Sequence, residues 1–306
     1  MTTFHDIGFI GTGIMGKSML RNVQKAGFTM HCFARHPEKV ADLKAEGVAV
    51  HPSIAELAKV CDCVITIVGF PKDVEEVYFG KEALFDSAKS GAYLVDMTTT
   101  SPTLAKRLYQ EGKKKGFHVM DAPVTGGDTG AKNGTLSILA GGDAEDYETL
   151  LPVFKAMGTN INHMGAAGMG QHAKMANQIM IAGALSGVCE AFSYARANKL
   201  DLEKLLAAVK TGAAGSAQLN AYGEKMIQSD FAPGFFVKHF IKDMRLANQE
   251  AEQKGLTLPV LQQVLGEYLA LEEEGQGNEG TQVLLTYYDK KREKPQYGLF
   301  ASVLQQ

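Results

Sequence analysis

Only four cysteines occur in 306 residues, at positions 32, 61, 63 and 189. Cys61 and Cys63 are spaced as C-x-C, not C-x-x-C, so no disulfide framework is implied. Reduced thiols in or near a core are expected instead. An excess of basic charge is also missing: 31 Lys and Arg against 34 Asp and Glu leave a net charge of −3. That balance gives no footprint for nucleic acid or an anionic membrane. The longest apolar run, residues 179–188, is interrupted by glycines and a serine and is too short to span a bilayer. No basic-then-apolar leader precedes the first strand. No cluster of His, Cys and carboxylates has metal-ligand spacing. The one basic run, Lys113-Lys114-Lys115, ends a predicted helix and reads as a solvated face. These absences predict a soluble, cytoplasmic protein with no metal and no nucleic-acid or membrane partner.

What is present begins at once. Ile7-Gly8-Phe9-Ile10 is a short apolar strand that runs into Gly11-Thr12-Gly13-Ile14-Met15-Gly16, a G-x-G-x-x-G turn before a helix-competent run. Gly11 permits the tight turn, Gly13 lets backbone approach a pyrophosphate, and Gly16 lets the helix pack closely. The unpaired N–H groups and positive dipole end of that helix suit a dinucleotide phosphate. An ordinary glycine turn is the competing reading.

The chain is long enough for two cores. Strand-like segments at 6–10, 29–33, 63–68, 93–96, 118–122 and 136–140 alternate with helix-like segments at 16–26, 37–46, 54–59, 72–78 and 103–115. Such alternation predicts βαβ units and a mostly parallel sheet. A helix at 145–157 closes this half, and Pro152 within it predicts a kink or break. Near residue 165 the pattern changes to about thirty helical residues, 171–198, rich in Ala, Gly, Met and Ile and expected to be buried on most of their surface. Further helices follow at 202–210, 217–228, 237–254, 259–274 and 282–291, with an exposed loop over 272–280. The predicted architecture is an α/β Rossmann domain, residues 1–165, and an all-α domain, residues 166–306, joined by a long central helix. Tyr297, Leu299 and Phe300 near the end are candidates for packing on a neighbouring subunit.

NAD-binding folds place an acidic residue at the end of the second strand. Here that strand ends in Ala34-Arg35-His36-Pro37, with no carboxylate. Arginine supplies forked, charge-assisted donors for a 2′-phosphate, and His36 and Lys39 add others. NADP is therefore favoured over NAD, with Arg35 as a plain surface charge the competing reading.

Two further segments carry chemistry. In Asp121-Ala122-Pro123-Val124-Thr125-Gly126-Gly127 a strand ends in a hydroxyl and two glycines, whose N–H groups form a small nest for a substrate carboxylate. The second is Gly168-Met169-Gly170-Gln171-His172-Ala173-Lys174-Met175-Ala176-Asn177-Gln178. A lysine in the first turns of an apolar helix is unusual, because burying an ammonium is costly. Desolvation lowers a lysine pKa, which suits a general acid. Asn177 and Gln178 come round to the same side, and either amide can position a substrate oxygen. His172 lies elsewhere on the helix and reads as structural. Lys242-Asp243, on an amphipathic helix, is a candidate to reach the cleft, though by pattern alone such a pair is more often a surface pair.

Residues 8–19, Asp96-Met97-Thr98-Thr99-Thr100-Ser101-Pro102, 121–127, Gly134-Thr135-Leu136-Ser137, 168–178 and Lys242-Asp243 together resemble the β-hydroxyacid dehydrogenase family, across nearly the whole chain and in the same order. The resemblance implies that residues 8–22 hold the cofactor and Thr99 touches its nicotinamide half. It implies that Thr125, Gly126 and Gly127 hold the substrate carboxylate. It makes Lys174 the general acid/base and Lys242 a lining residue of the cleft. Family members are usually dimers or tetramers. Three departures are visible: threonine at 125 where many members have serine, Gln178 four residues after the lysine where several have asparagine, and Val68-Gly69-Phe70-Pro71 before the cleft. The implied activity is hydride transfer between NADP, with NAD possible, and a small carboxylate-bearing β-hydroxy acid or its semialdehyde. An imine reductase on the same fold and a non-catalytic dinucleotide-binding scaffold remain open. The longer 6-phosphogluconate dehydrogenases share the fold but need a further helical repeat.

Overall fold

The structure is a computed structural model that describes residues 4–293. The chain divides into two compact units, one ending at Ala176 and the other beginning at Asn177.

The first unit is built on nine strands: β1 (Asp6–Ile10), β2 (Thr29–Phe33), β3 (Ala49–His51), β4 (Cys63–Thr66), β5 (Tyr93–Asp96), β6 (His118–Asp121), β7 (Val124–Thr125), β8 (Leu136–Gly141) and β9 (Gly158–Gly165). Their order is β3-β2-β1-β4-β5-β6-β8-β7, with β9 pairing β8. The pairs from β3 through β6 are parallel, whereas β8 runs antiparallel to β6 and β7. Strand order reverses between β1 and β4. In open parallel sheets that reversal marks the ligand crevice, at the carboxyl ends of the strands.

Helices α1 (Ile14–Lys25), α2 (Ala41–Ala45), α3 (Ile54–Val60), α4 (Pro71–Phe79), α5 (Leu84–Ser87), α6 (Pro102–Lys114), α7 (Gly127–Asn133) and α8 (Ala144–Met157) connect the strands. Successive strand residues point to opposite faces. Cys63 and Ile65 of β4 and Tyr93 and Val95 of β5 therefore join one apolar cluster, with Met19 and Leu20 of α1 and Phe154 of α8. Val64 and Leu94 join the other, with Leu57 of α3, Tyr78 of α4 and Leu108 of α6. Both sheet faces are covered, which explains the nearly continuous apolar runs of the inner strands.

Several local expectations change. The segment 37–46 is a 3-10 turn, Pro37–Val40, followed by the short α2. Strands β3, β7 and β9 escape the apolar pattern because they are short or polar: β9 reads Gly-Thr-Asn-Ile-Asn-His-Met-Gly. Pro152 does not break its helix. Helix α8 runs on to Met157, held by the fully buried Leu150, Val153, Phe154 and Met157 around the proline. That packing outweighs the one backbone hydrogen bond the proline removes. All four cysteines are free and buried, as expected. Lys113, Lys114 and Lys115 end α6 with exposed side chains in ion pairs.

Helix α9 (Met169–Ala197) has 29 residues, and the boundary between the two units falls inside it. It is not buried on most of its surface. Ala182, Leu185, Cys189, Phe192 and Ala195 form one buried stripe, while Met180 and Tyr194 are each 68% exposed. Its small residues are spread round the helix, so composition overstated its burial. The second unit continues with α10 (Leu202–Val209), α11 (Ala217–Ile227), α12 (Val237–Glu252), α13 (Pro259–Glu273) and α14 (Leu284–Glu293). No strand occurs among its described residues. The loop over 272–280 contains a 3-10 turn, Gln276–Asn278. Tyr297, Leu299 and Phe300 lie outside the described residues. Among the described residues no helix is long and apolar enough to cross a membrane, and no group of three metal-ligating side chains assembles.

Candidate active site

The glycine loop leaves β1 at the crevice. Gly11 has φ +100°, and a Cβ there would sit 2.0 Å from the Ile67 carbonyl oxygen just beyond β4. A Cβ on Gly16 would sit 1.8 Å from the Gly11 carbonyl oxygen, so α1 packs onto the loop itself. Gly13 differs: it is exposed, and a Cβ there would meet nothing within 4 Å. It is the N-cap of α1 and offers no side-chain cap, and the first turn has no acidic residue. The first N–H groups of a helix lack intrahelical partners. The three glycines thus have separate duties, two against the protein and one toward open space. This cradle fits an anionic pyrophosphate. Thr12 and Met15 are half-buried beside it and Ile14 is exposed.

At the end of β2, Ala34 is half-buried and Arg35 turns toward α4. Arg35 Nη2 lies 3.2 Å from both Asp73 Oδ1 and Glu76 Oε2. Asp73 also accepts the Phe70 backbone N–H at 3.0 Å, fixing the start of α4. His36 pairs loosely with Glu38 at 3.4 Å.

Residues beyond β5 and β6 converge on the start of α9. Asp121 ends β6 with a buried carboxylate; Oδ1 accepts the Gly168 N–H at 2.7 Å and Oδ2 the Gln171 N–H at 2.9 Å. Burial pushes its pKa up to about 6, against the pull of those N–H groups. Gln171 is fully buried. Its Nε2 donates to the Thr98 carbonyl at 2.7 Å, and its Oε1 accepts the Thr100 N–H at 3.0 Å. Thr99 lies between those two bonds and is half-buried. Asp96, at the end of β5, is likewise raised to about 6 by burial, opposed by hydrogen bonds from Thr98 and Thr66. The Thr98 hydroxyl accepts the Val68 N–H at 2.9 Å. Lys174 follows Gln171 by three residues on α9 and is only 7% exposed, so it does not snorkel to solvent.

Thr125 is half-buried on β7, which it holds to β8 opposite Ser137. Gly126 and Gly127 are exposed with φ of +129° and +65°. They start α7, so the glycine turn is also a helix entry. The expected turn gave no sign of that helix, because Gly-Asp-Thr-Gly-Ala-Lys-Asn lacks an apolar period.

In the second unit Gln178 is buried and donates to Asp243 Oδ2 at 2.6 Å, while Asn177 donates to Gln178 Oε1 at 2.8 Å. Lys242 Nζ lies 3.0 Å from Asp243 Oδ1, with side chains 12% and 2% exposed. The surface-pair reading of Lys242-Asp243 is therefore corrected. Asp243 sits on the buried face of α12 among Phe240, Ile241 and Met244. A carboxylate is tolerated there because a cation and an amide both serve it. That partner is 65 residues away in sequence, out of reach of a local pattern.

The structure thus joins the segments after β5 and β6 to the start of α9, joins Arg35 to α4, and joins Asn177, Gln178, Lys242 and Asp243. Asp96, Asp121 and Gln171 had no assigned role. An aspartate closing a strand and a glutamine in the first turn of a glycine-led helix are the signals that precede them.

Residues 6–165 match the family model described as the NAD binding domain of 6-phosphogluconate dehydrogenase. Residues 168–288 match the one described as NAD-binding of NADP-dependent 3-hydroxyisobutyrate dehydrogenase. An uncharacterized oxidoreductase of Bacillus subtilis is 46% identical over 284 residues, 93% of this chain and 99% of that protein. A probable 3-hydroxyisobutyrate dehydrogenase-like mitochondrial protein of Arabidopsis thaliana is 45% identical over 280 residues, 91% of this chain and 84% of that one. The solved structure of Mycobacterium tuberculosis 3-hydroxyisobutyrate dehydrogenase with L-serine superposes with a TM-score of 0.83 at 27% identity, covering 93% of this chain and 99% of that one. With a glycine cradle at the β1–β4 crevice, a helical second unit and these matches along both, the chain belongs to the β-hydroxyacid dehydrogenase family of nicotinamide-dinucleotide oxidoreductases.

Proposed function

We propose that the chain interconverts a small β-hydroxy acid and its semialdehyde, with NADP preferred over NAD and Lys174 as the general acid/base. The observation that carries this reading is Lys174 itself: an ammonium-bearing side chain 7% exposed, in the first turns of the helix that Asp121 and Gln171 tie to the ends of β6 and β5. Those strand ends are where this fold places its ligands. A bound nicotinamide supplies hydride for reduction and accepts it in oxidation.

The chain's own residues do the rest. Gly11, Gly13, Gly16 and the start of α1 hold the cofactor's phosphates, beside Thr12, Ile14 and Met15. Ala34 and Arg35 meet its adenosine end, Arg35 favouring a 2′-phosphate. Thr99 borders its nicotinamide half, and the family resemblance gives Lys242 a cofactor-binding role. The N–H groups of Gly126 and Gly127, both exposed at positive φ, hold the substrate carboxylate with the Thr125 hydroxyl. Lys174 gives a proton to the carbonyl oxygen as its carbon takes the hydride, and takes it back in oxidation; between turnovers the amine is reprotonated from solvent. Gln178 donates to Asp243 and accepts from Asn177, and one of these two amides orients the substrate oxygen.

We further propose a cytoplasmic homodimer or homotetramer whose domains divide near residue 165. The resemblance to a family whose members are usually dimers or tetramers supports self-association, which light scattering after size exclusion measures.

The deciding experiment follows NADPH and NADH oxidation with tartronate, methylmalonate and succinic semialdehydes, glyoxylate and a cyclic imine. Turnover of one carboxylate-bearing aldehyde is expected. Turnover of the imine alone would make the chain an imine reductase, and turnover of none would favour a dinucleotide-binding scaffold.

A further inference from the structure

We propose that Gln171 is a positioning residue, whose amide fixes Thr99 relative to Lys174. The inference rests on the proposed function for its catalytic consequence, and on the geometry for the clamp itself.

The amide closes a ring around one residue. Nε2 holds the carbonyl before Thr99, and Oε1 holds the N–H after it. A glutamine side chain offers one donor group and one acceptor, matching the carbonyl and the N–H it meets. An ionised glutamate would keep the acceptor and lose the donor; leucine would keep neither. The Gln171 side chain has no exposed surface, so water does not substitute for it.

The other end of the clamp is equally fixed. The Gln171 N–H and the Gly168 N–H both end on Asp121, so the start of α9 is pinned to β6. A Cβ on Gly170 would lie 2.2 Å from the Leu139 carbonyl oxygen, which holds the helix start against β8. Lys174 is one turn further along the same helix. The Gln171 side chain therefore bonds the segment carrying Thr99 directly to the helix carrying Lys174. Asp121 and Asp96, both buried, lie nearby; Asp121 takes the Gln171 backbone N–H, while the side-chain amide serves Thr98 and Thr100. Reacting groups displaced by an ångström from a productive geometry lose rate far more than they lose binding.

The test compares Q171L and Q171E with the wild type in four measurements: thermal midpoint, NADPH affinity by fluorescence titration, kcat and KM with the aldehyde the wild type reduces, and amide hydrogen exchange. Q171E retains size and one of the two bonds, so it covers the case in which Q171L fails to fold. Exchange at Thr100 is expected to quicken at least about tenfold in Q171L, the signature of a lost buried hydrogen bond. Turnover is expected to fall about 10- to 100-fold in both, with NADPH affinity within about threefold. A merely structural role would lower the midpoint and leave kcat per folded molecule unchanged, and that result would overturn the proposal. Unchanged exchange at Thr100 in Q171L would overturn the clamp without reference to turnover. A wild type inactive toward every aldehyde, with Thr100 exchange still quickened by Q171L, would sink the proposed function and leave the clamp standing.

Discussion

The guanidinium of Arg35 lies 3.2 Å from the carboxylate of Glu76, and the same nitrogen lies 3.2 Å from Asp73. The cation at the end of β2 is thus already shared between two acids of α4. Any anion that Arg35 takes up competes with them.

A cofactor experiment follows. Arg35→Ala is expected to raise KM for NADPH about tenfold, the value of one charge-assisted bond, while NADH shifts by less than about twofold. Glu76→Gln is expected to lower KM for NADPH about two- to threefold at low salt, with the gain fading at high salt, because exposed pairs are weak and screened. Equal shifts for both cofactors would remove Arg35 from the selection of NADP.

The lysine gives a sharper contrast. Lys174→Ala is expected to cut turnover about 10²- to 10⁴-fold, the usual range for a general acid. Fluorescence titration with NADPH should give an affinity close to the wild type. Turnover within about twofold of the wild type would mean that the proton comes from another group.

The glycine loop separates folding from binding. Gly16→Ala puts a Cβ 1.8 Å from a backbone carbonyl and is expected to lower the thermal midpoint markedly. Gly13 has φ −77° and open space around it, so Gly13→Ala should melt like the wild type. Its cost should appear in NADPH affinity, because the added methyl stands where backbone would approach phosphate. Paired melting curves and titrations check both.

Asp96 predicts a pH dependence with a definite sign. Its folded pKa is raised to about 6 by burial, above the ordinary aspartate value of about 3.9. The folded state therefore holds its proton more tightly than the unfolded state. This contribution is fully present below about pH 4 and is lost as pH rises through about 6. Asp96→Asn keeps an acceptor for Thr66 and the Thr98 N–H while removing the charge. The variant's unfolding free energy relative to the wild type, followed by denaturant melts, should therefore improve from pH 4.5 toward pH 7, by roughly the pKa difference converted at about 1.4 kcal/mol per unit at most. A constant difference across that range would contradict the raised pKa.

How much of this was legible in the sequence depends on the distance over which each feature is determined. The glycine loop, the inner strands and α9 were readable because turn chemistry and burial act within a few residues. Arg35 was readable as a cation at a strand end, but not as the partner of Asp73 and Glu76, which enter 38 and 41 residues later. Gln171 was visible as a letter in a motif. Its function as a clamp depends on Thr98 and Thr100, more than seventy residues earlier. The same holds for Asp243, read as a surface charge until Gln178 and Lys242 appear beside it. Strands β3, β7 and β9 were missed because each takes its shape from a neighbouring strand and not from its own apolar pattern.

The four buried cysteines have a practical consequence. Burial pushes the Cys32 and Cys61 thiols up to about 11 and about 12 and raises Cys63 and Cys189 as well. Thiols that neither ionise nor meet solvent react slowly with alkylating and disulfide-exchange reagents. The folded chain is thus a silent background for a single introduced cysteine carrying a spectroscopic label. The same four groups become reactive together on unfolding, which makes thiol release a built-in clock for the opening of the fold.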